Sequence, residues 1–341
     1  MSEANQRNKA AARAYWNWSD SCPVGEMADS VAEFLTEDVT WRGFAPLENT
    51  TGRRAVVEQY LAPLHAAFPD LTRQTHIAMG GVSNGRADGG PDGRHWVGGT
   101  GYLTGTQTGD LWGIPARNRL LRLRWGEFLE FDAEGRIITI EILIDVIDWL
   151  EQIDMSPLPA SRGVPFVYPA PTGIDGRMWD DQGDDSALMA FARQFIFGGL
   201  NAFDESDLKS MGMADYFHPN LKWYGPGGIG ACLSLEEFQS LHQAPWLKAF
   251  PDRKVGDLEN LLAEGDFVGA SSLPGVYLTH TGPYLGHTAT GLGAGVNGID
   301  FWRFENGQFT ENWVFVDMLH LFSQFGIDLM ARVRHMTGHQ T

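Results

Sequence analysis

HAAFPD at residues 65–70 returns as LKAFPD at 247–252, and three further landmarks follow in the same order. TQTG at 106–109 answers THTG at 279–282, AEGRI at 133–137 answers ENGQF at 305–309, and Asp145 answers Asp317. An ordered series of this kind marks an internal duplication, and it requires each copy to form the same supersecondary unit. The length of 341 residues, beyond the usual span of one hydrophobic core, leads to the same division. The expected boundaries are 1–155 for a first unit, 156–185 for a linker dense in Pro, Gly and Asp, and 186–335 for a second unit. Phe166, Val167 and Tyr168 are expected to pin that linker to a domain surface. The first copy also carries an extra loop, GRADGGPDGRHW at 85–96, which reads as a lid or as surface decoration.

Within each copy, helical patterning precedes strand patterning. In the second, Leu188, Phe191, Phe195 and Ile196 recur at helical spacing, and Ser234 with Glu237 forms a capping box before a shorter helix. After FPD the alternation turns to period two, with GD and NG at the turns. The predicted class is α+β: twice over, a curled antiparallel sheet packed against N-terminal helices that close over it.

The 25 Lys and Arg residues against 43 Asp and Glu give a formal charge of -18, a surface that repels phosphate backbones, so nucleic acid is not an expected partner. Cys22 and Cys232 stand far apart and outside any metal-ligand spacing. The N-terminus lacks the apolar core of a signal peptide and no run approaches membrane-spanning length, so the expectation is a soluble, cytoplasmic protein. Twelve Trp and twenty Phe supply aromatic surface for an apolar pocket or an interface. The expected partner is therefore a small molecule of apolar or aromatic character.

Alternation along ENWVFVD puts Glu311, Trp313, Phe315 and Asp317 on one side of the last strand and Asn312, Val314 and Val316 on the other. Asp317 then reads either as an acid/base group facing an aromatic cavity or as a cap for the following helix. Its counterpart Asp145 shares a face with Glu141, which stands where the second copy has Trp313. His280 is a proton-exchanging candidate that the first copy replaces with the non-titrating Gln107. His287 in a loop, His242 on the short helix, and His218 ahead of Trp223 and Tyr224 complete the polar candidates, and Trp302 joins the aromatic ones. No HxH, HExxH, carboxylate triad or phosphate loop occurs, so neither a metal nor a cofactor is expected.

The order FPD, GD and a strand, THTGxxxGxxxTG, RFENGQFTENWVFVD and a closing helix with SQFG resembles the SnoaL-like polyketide cyclases of the nuclear-transport-factor-like superfamily. The resemblance covers about 185–330 and, more weakly, about 10–153. It implies cone-shaped units, each a curved antiparallel sheet enclosing a deep apolar pocket, and a last-strand aspartate acting as general acid/base without a cofactor. The matching positions are Asp317 and His280, with Trp313, Phe315, Trp223 and Trp302 holding substrate and Tyr224 as a further hydrogen-bond donor. The implied chemistry is a cyclase or lyase/isomerase step on a carbonyl compound. A non-catalytic binding or scaffold protein and an ester or epoxide hydrolase are the alternatives. Fusion of two units implies an internal pseudo-dimer, and a homo-oligomer of the whole chain is a further expectation.

Overall fold

The computed structural model describes residues 3–338 apart from 91, 166, 184, 185, 206 and 208, so the expectation for Phe166 lies outside the described residues. The first unit is built on the strands β1 (Leu35–Arg42), β2 (Thr50–Thr51), β3 (Thr72–Val82), β4 (His95–Thr106), β5 (Leu120–Phe131) and β6 (Ile137–Ile144). The second has β7 (Phe217–Tyr224), β8 (Ala231–Cys232), β9 (Lys254–Val255), β10 (Asn260–Glu264), β11 (Phe267–Thr279), β12 (Gly293–Glu305) and β13 (Gln308–Val316). Helices precede the first strand of each unit and follow it again before FPD, as the periodicity predicts. Ser234 Oγ accepts from Glu237 N at 3.1 Å, and Glu237 Oε2 accepts from Leu233 N at 2.7 Å, which starts the helix before FPD.

The two sheets share one strand order, β2-β1-β6-β5-β4-β3 in the first and β8-β7-β13-β12-β11-β10 in the second, where β9 adds to β11. Pairing is antiparallel except between β1 and β6 and between β13 and β7. The duplication and the α+β class are thus visible in the topology, but the cone-shaped unit with a curved sheet is not. Neither sheet curls or closes; each stays open, with a different strand at either edge.

A physical reason lies in what covers the second face. Each sheet carries its own helices on one face and lays its outer face on the other unit. Phe128 of β5 stacks on Phe301 of β12 with centroids 5.2 Å apart and planes 10° from parallel. Glycine permits the approach: a Cβ on Gly126 would stand 2.9 Å from the Phe315 ring, and one on Gly269 would stand 2.9 Å from Met79 Sδ. Strands buried on both faces lose the apolar/polar alternation of half-buried ones, and β6 and β13 are buried almost throughout.

The linker is stitched into both units. Val164 bridges Ala231 of β8, Arg177 bridges Ala78 of β3, and the Tyr168 ring packs on Phe315 while its hydroxyl bonds Thr100. The 85–96 loop region likewise clasps the second unit. Leu258 N donates to Gly85 O, Ala87 N to Asp257, and Arg193 reaches the carbonyls of Asn84 and Arg86. Among the described residues no helix is long and apolar enough to cross a membrane.

Candidate functional site

Between the second unit's sheet and its helices lies a cavity of about 220 Å³. Its sheet wall comes from Ala270, Val296, Gly298, Asp300, Trp302, Asn312, Val314 and Val316; its helix wall comes from Phe195, Ile196, Leu200, Phe238, His242, Gln243 and Trp246. Trp223, Phe217, Tyr284 and Phe315 add aromatic surface, and Arg253 brings the one guanidinium among the described residues that line it. His242 and Gln243 belong to a π-helical turn, Phe238–Gln243, and Phe195 and Ile196 to another, Gln194–Gly199. Widened turns of this type recur at functional sites.

The carboxyl group in the cavity wall is Asp300. It stands opposite Val314 in the β12–β13 ladder, and Asn312 Nδ2, diagonal to it, donates to Asp300 Oδ1 at 3.3 Å and to Phe301 O at 3.0 Å. Asp300 keeps some accessible surface despite lying deep in the unit, since it is the cavity it faces. Burial pushes its carboxyl up to about 7, and the Asn312 hydrogen bond offsets only part of the rise. His242 stacks on Trp223, centroids 4.2 Å apart. Burial, reinforced by the Arg253 charge, lowers its imidazole to about 3, so at neutral pH it is uncharged, and its Nδ1 has no hydrogen-bond partner among the described residues. Among the described residues no three His, Cys, Asp or Glu side chains converge as a metal ion would require.

Residues 200–325 match the family model described as SnoaL-like polyketide cyclase. The second unit is SnoaL-like. The shared strand order extends that fold to the first unit, so the chain is an internally duplicated SnoaL-like architecture. Solved structures similar to it include AclR of Streptomyces galilaeus, 23% identical over 42% of this chain and 98% of AclR, with a TM-score of 0.33. IdmH of Streptomyces antibioticus is 20% identical over 39% and 96%, TM-score 0.32, and TsrD of Streptomyces laurentii is 24% identical over 42% and 98%, TM-score 0.33. None of the curated proteins compared with the chain matches it.

In the SnoaL-like unit, Trp223, His242, Trp302 and Phe315 line the cavity; Asp317, His280, Trp313, Tyr224, His218 and His287 do not. The side of β13 that turns its polar and branched residues to the cavity is Asn312, Val314 and Val316. The opposite side meets the linker and the first unit. Trp313 Nε1 donates to Pro169 O at 2.7 Å, and Glu311 accepts from Thr172 and from the Tyr224 hydroxyl. His280 is fully buried between Phe250 and Phe325 and ties its loop through Thr290, while Gln107 ties the equivalent loop through Gly109, Ile114 and Trp149. His287 packs on Phe322, and His218 Nδ1 accepts from Asn220 N within β7.

Asp317 caps the helix Met318–Gln324, accepting from His320 N at 3.0 Å, and its other oxygen accepts from Ala45 N of the first unit at 2.8 Å. Asp145 does the same in mirror image: it caps Val146–Gln152 by accepting from Asp148 N at 3.0 Å, and accepts from Gly227 N of the second unit at 2.8 Å. Glu141 is also at the contact between units, bonded to Ser271 and Arg42.

The first unit has its own version of the cavity acid. Glu127 stands opposite Ile142 as Asp300 stands opposite Val314, and burial pushes it up to about 7 as well. There, however, the Trp16 indole bonds Glu127. The buried positions Ala12, Tyr15, Trp16 and Ser19 of the helix Glu3–Ser21 correspond one for one to Ala192, Phe195, Ile196 and Gly199. The first unit thus places a tryptophan, bonded to its buried acid, where the second places the smaller Ile196 in the cavity wall.

Proposed function

We propose that the second unit is a cofactor-independent acid/base enzyme acting on a carbonyl-containing small molecule, of cyclase or lyase/isomerase type, with Asp300 as the base. The observation that carries this reading is a carboxyl held near 7 in the wall of an aromatic cavity. A base poised near the working pH combines a usable ionised fraction with real proton affinity. Removing a proton beside a carbonyl also needs a donor for the enolate oxygen, and the uncharged His242, with its unpartnered ring nitrogen, is suited to that role. Asn312 orients the Asp300 carboxylate. The aromatic walls hold a flat, apolar body and keep water from the reacting carbon. The family described by the matching model is one of cyclases, which supports the reaction class.

The test is α-proton exchange in heavy water, followed by NMR, across aryl ketones and β-keto esters sized to the cavity. Wild type is expected to accelerate exchange of at least one class, and Asp300→Asn to lose about 100-fold or more of that acceleration while still binding the compound. Undiminished exchange in Asp300→Asn would remove Asp300 from the mechanism; saturable binding without exchange of any compound would favour a binding protein.

A further inference from the structure

The deeply buried arginines elsewhere in this chain are matched by carboxylates. Arg73 has Asp20 and Arg124 has Asp145 and Asp148. Arg253, only 8% exposed and on the cavity wall, forms no ion pair among the described residues. Its Nη2 is held by two neutral acceptors, Leu200 O at 2.9 Å and Met211 Sδ at 2.9 Å, and the Phe203 ring lies 5.8 Å from the guanidinium carbon. Burial with no compensating anion lowers this guanidinium to about 10, the opposite of the rise at Arg73 and Arg124. A buried charge without a counterion is costly to keep.

We infer that Arg253 is the anchor of an anion subsite in the cavity, and that the ligand is an apolar, ring-bearing carboxylic acid bound as its monoanion. Gln243 supplies a second donor beside it, since its Nε2 reaches the same Met211 sulfur at 3.5 Å. One planar guanidinium and one amide match a carboxylate's two oxygens; a phosphate would leave acceptors unmet. The remaining walls are hydrocarbon and aromatic, fit for the rest of the molecule. The inference deepens the acid/base reading by naming the substrate class, and it relies on that reading only for which carbon reacts.

Tryptophan fluorescence titration of the full chain with 2-naphthylacetate and with its methyl ester tests it. Wild type is expected to bind the acid about 10- to 100-fold more tightly than the ester. Arg253→Met is expected to lose that preference while keeping wild-type affinity for the ester, which reports an intact cavity. Without ligand, Arg253→Met should melt at or above the wild-type temperature, because an unpaired buried charge has been removed. No preference for the acid in wild type, an unchanged preference in Arg253→Met, or a large fall in its melting temperature would each overturn the subsite. If the acid is preferred but Asp300→Asn leaves exchange unaffected, the subsite stands and the acid/base reading falls; if exchange depends on Asp300 without acid preference, the reverse holds.

Discussion

Asp300 and Asp317 lie one strand apart in chain order and do different work. With its carboxyl near 7, Asp300 must be ionised to act as a base, so kcat/KM is expected to rise with pH through about 7 and then level off, a profile that Asp300→Asn abolishes along with activity. Asp317 accepts two backbone N–H groups, one from each unit. Asp317→Asn can satisfy only one of them without turning its amide hydrogens on the other, so it should cost about 1–3 kcal/mol of stability while leaving α-proton exchange intact; denaturant titration and the exchange assay separate the two effects. The capping alternative for Asp317 was legible in its place before a helix, whereas the cavity role of Asp300 was not. Trp313 looks like a pocket residue in a strand read as half-buried, but β13 is buried on both sides, and alternation cannot say which apolar face is the ligand's. A usable signal was present in GIDFWRFE: a carboxylate between Ile299 and Phe301, inside a strand too apolar to solvate it.

The first helices of the two units differ on their buried faces, where one has Trp16 and the other Ile196. If Trp16 against Ile196 is the difference between a filled and an open interior, Ile196→Trp should abolish binding of cavity ligands and keep the fold, as read by titration and circular dichroism. Trp16→Ile should destabilise the protein, by less than the roughly 3–5 kcal/mol of a truncation to Ala, and leave Glu127 without its indole partner. Periodicity located these helices and the sheets that follow them, because apolar spacing is a local property. The openness of the sheets was not local: it depends on what packs behind them, and only the contact between units, at Phe128, Phe301 and the close-packed glycines, supplies that. The loop at 85–96, whose composition suits a lid or an ornament, proves to be a clasp because Asp257 accepts from Ala87 N and Arg193 donates to Arg86 O, both from the other unit.

Over the whole molecule, buried acids couple folding to protons. Burial holds Glu127, Glu141 and Asp300 near 7 in the folded chain, against roughly 4 when unfolded. Their folded pKa values are raised, so their contribution is fully present below about pH 4 and is lost as pH rises through 7. His242, lowered to about 3, acts in the opposite direction below about pH 6.5, so the clean window lies above that. Stability in urea should therefore fall between pH 6.5 and pH 8, by on the order of 2 kcal/mol; a flat or rising curve would show that these acids are ionised when folded. The reciprocal hydrogen bonds, Ala45 to Asp317 and Gly227 to Asp145, bear on the history of such a chain. Each half holds the template against which the other half's closing helix is set, so each copy is kept under selection by its sibling whatever its own chemistry. Neither sequence is free to drift alone, and deleting either half from the gene would unmake the other.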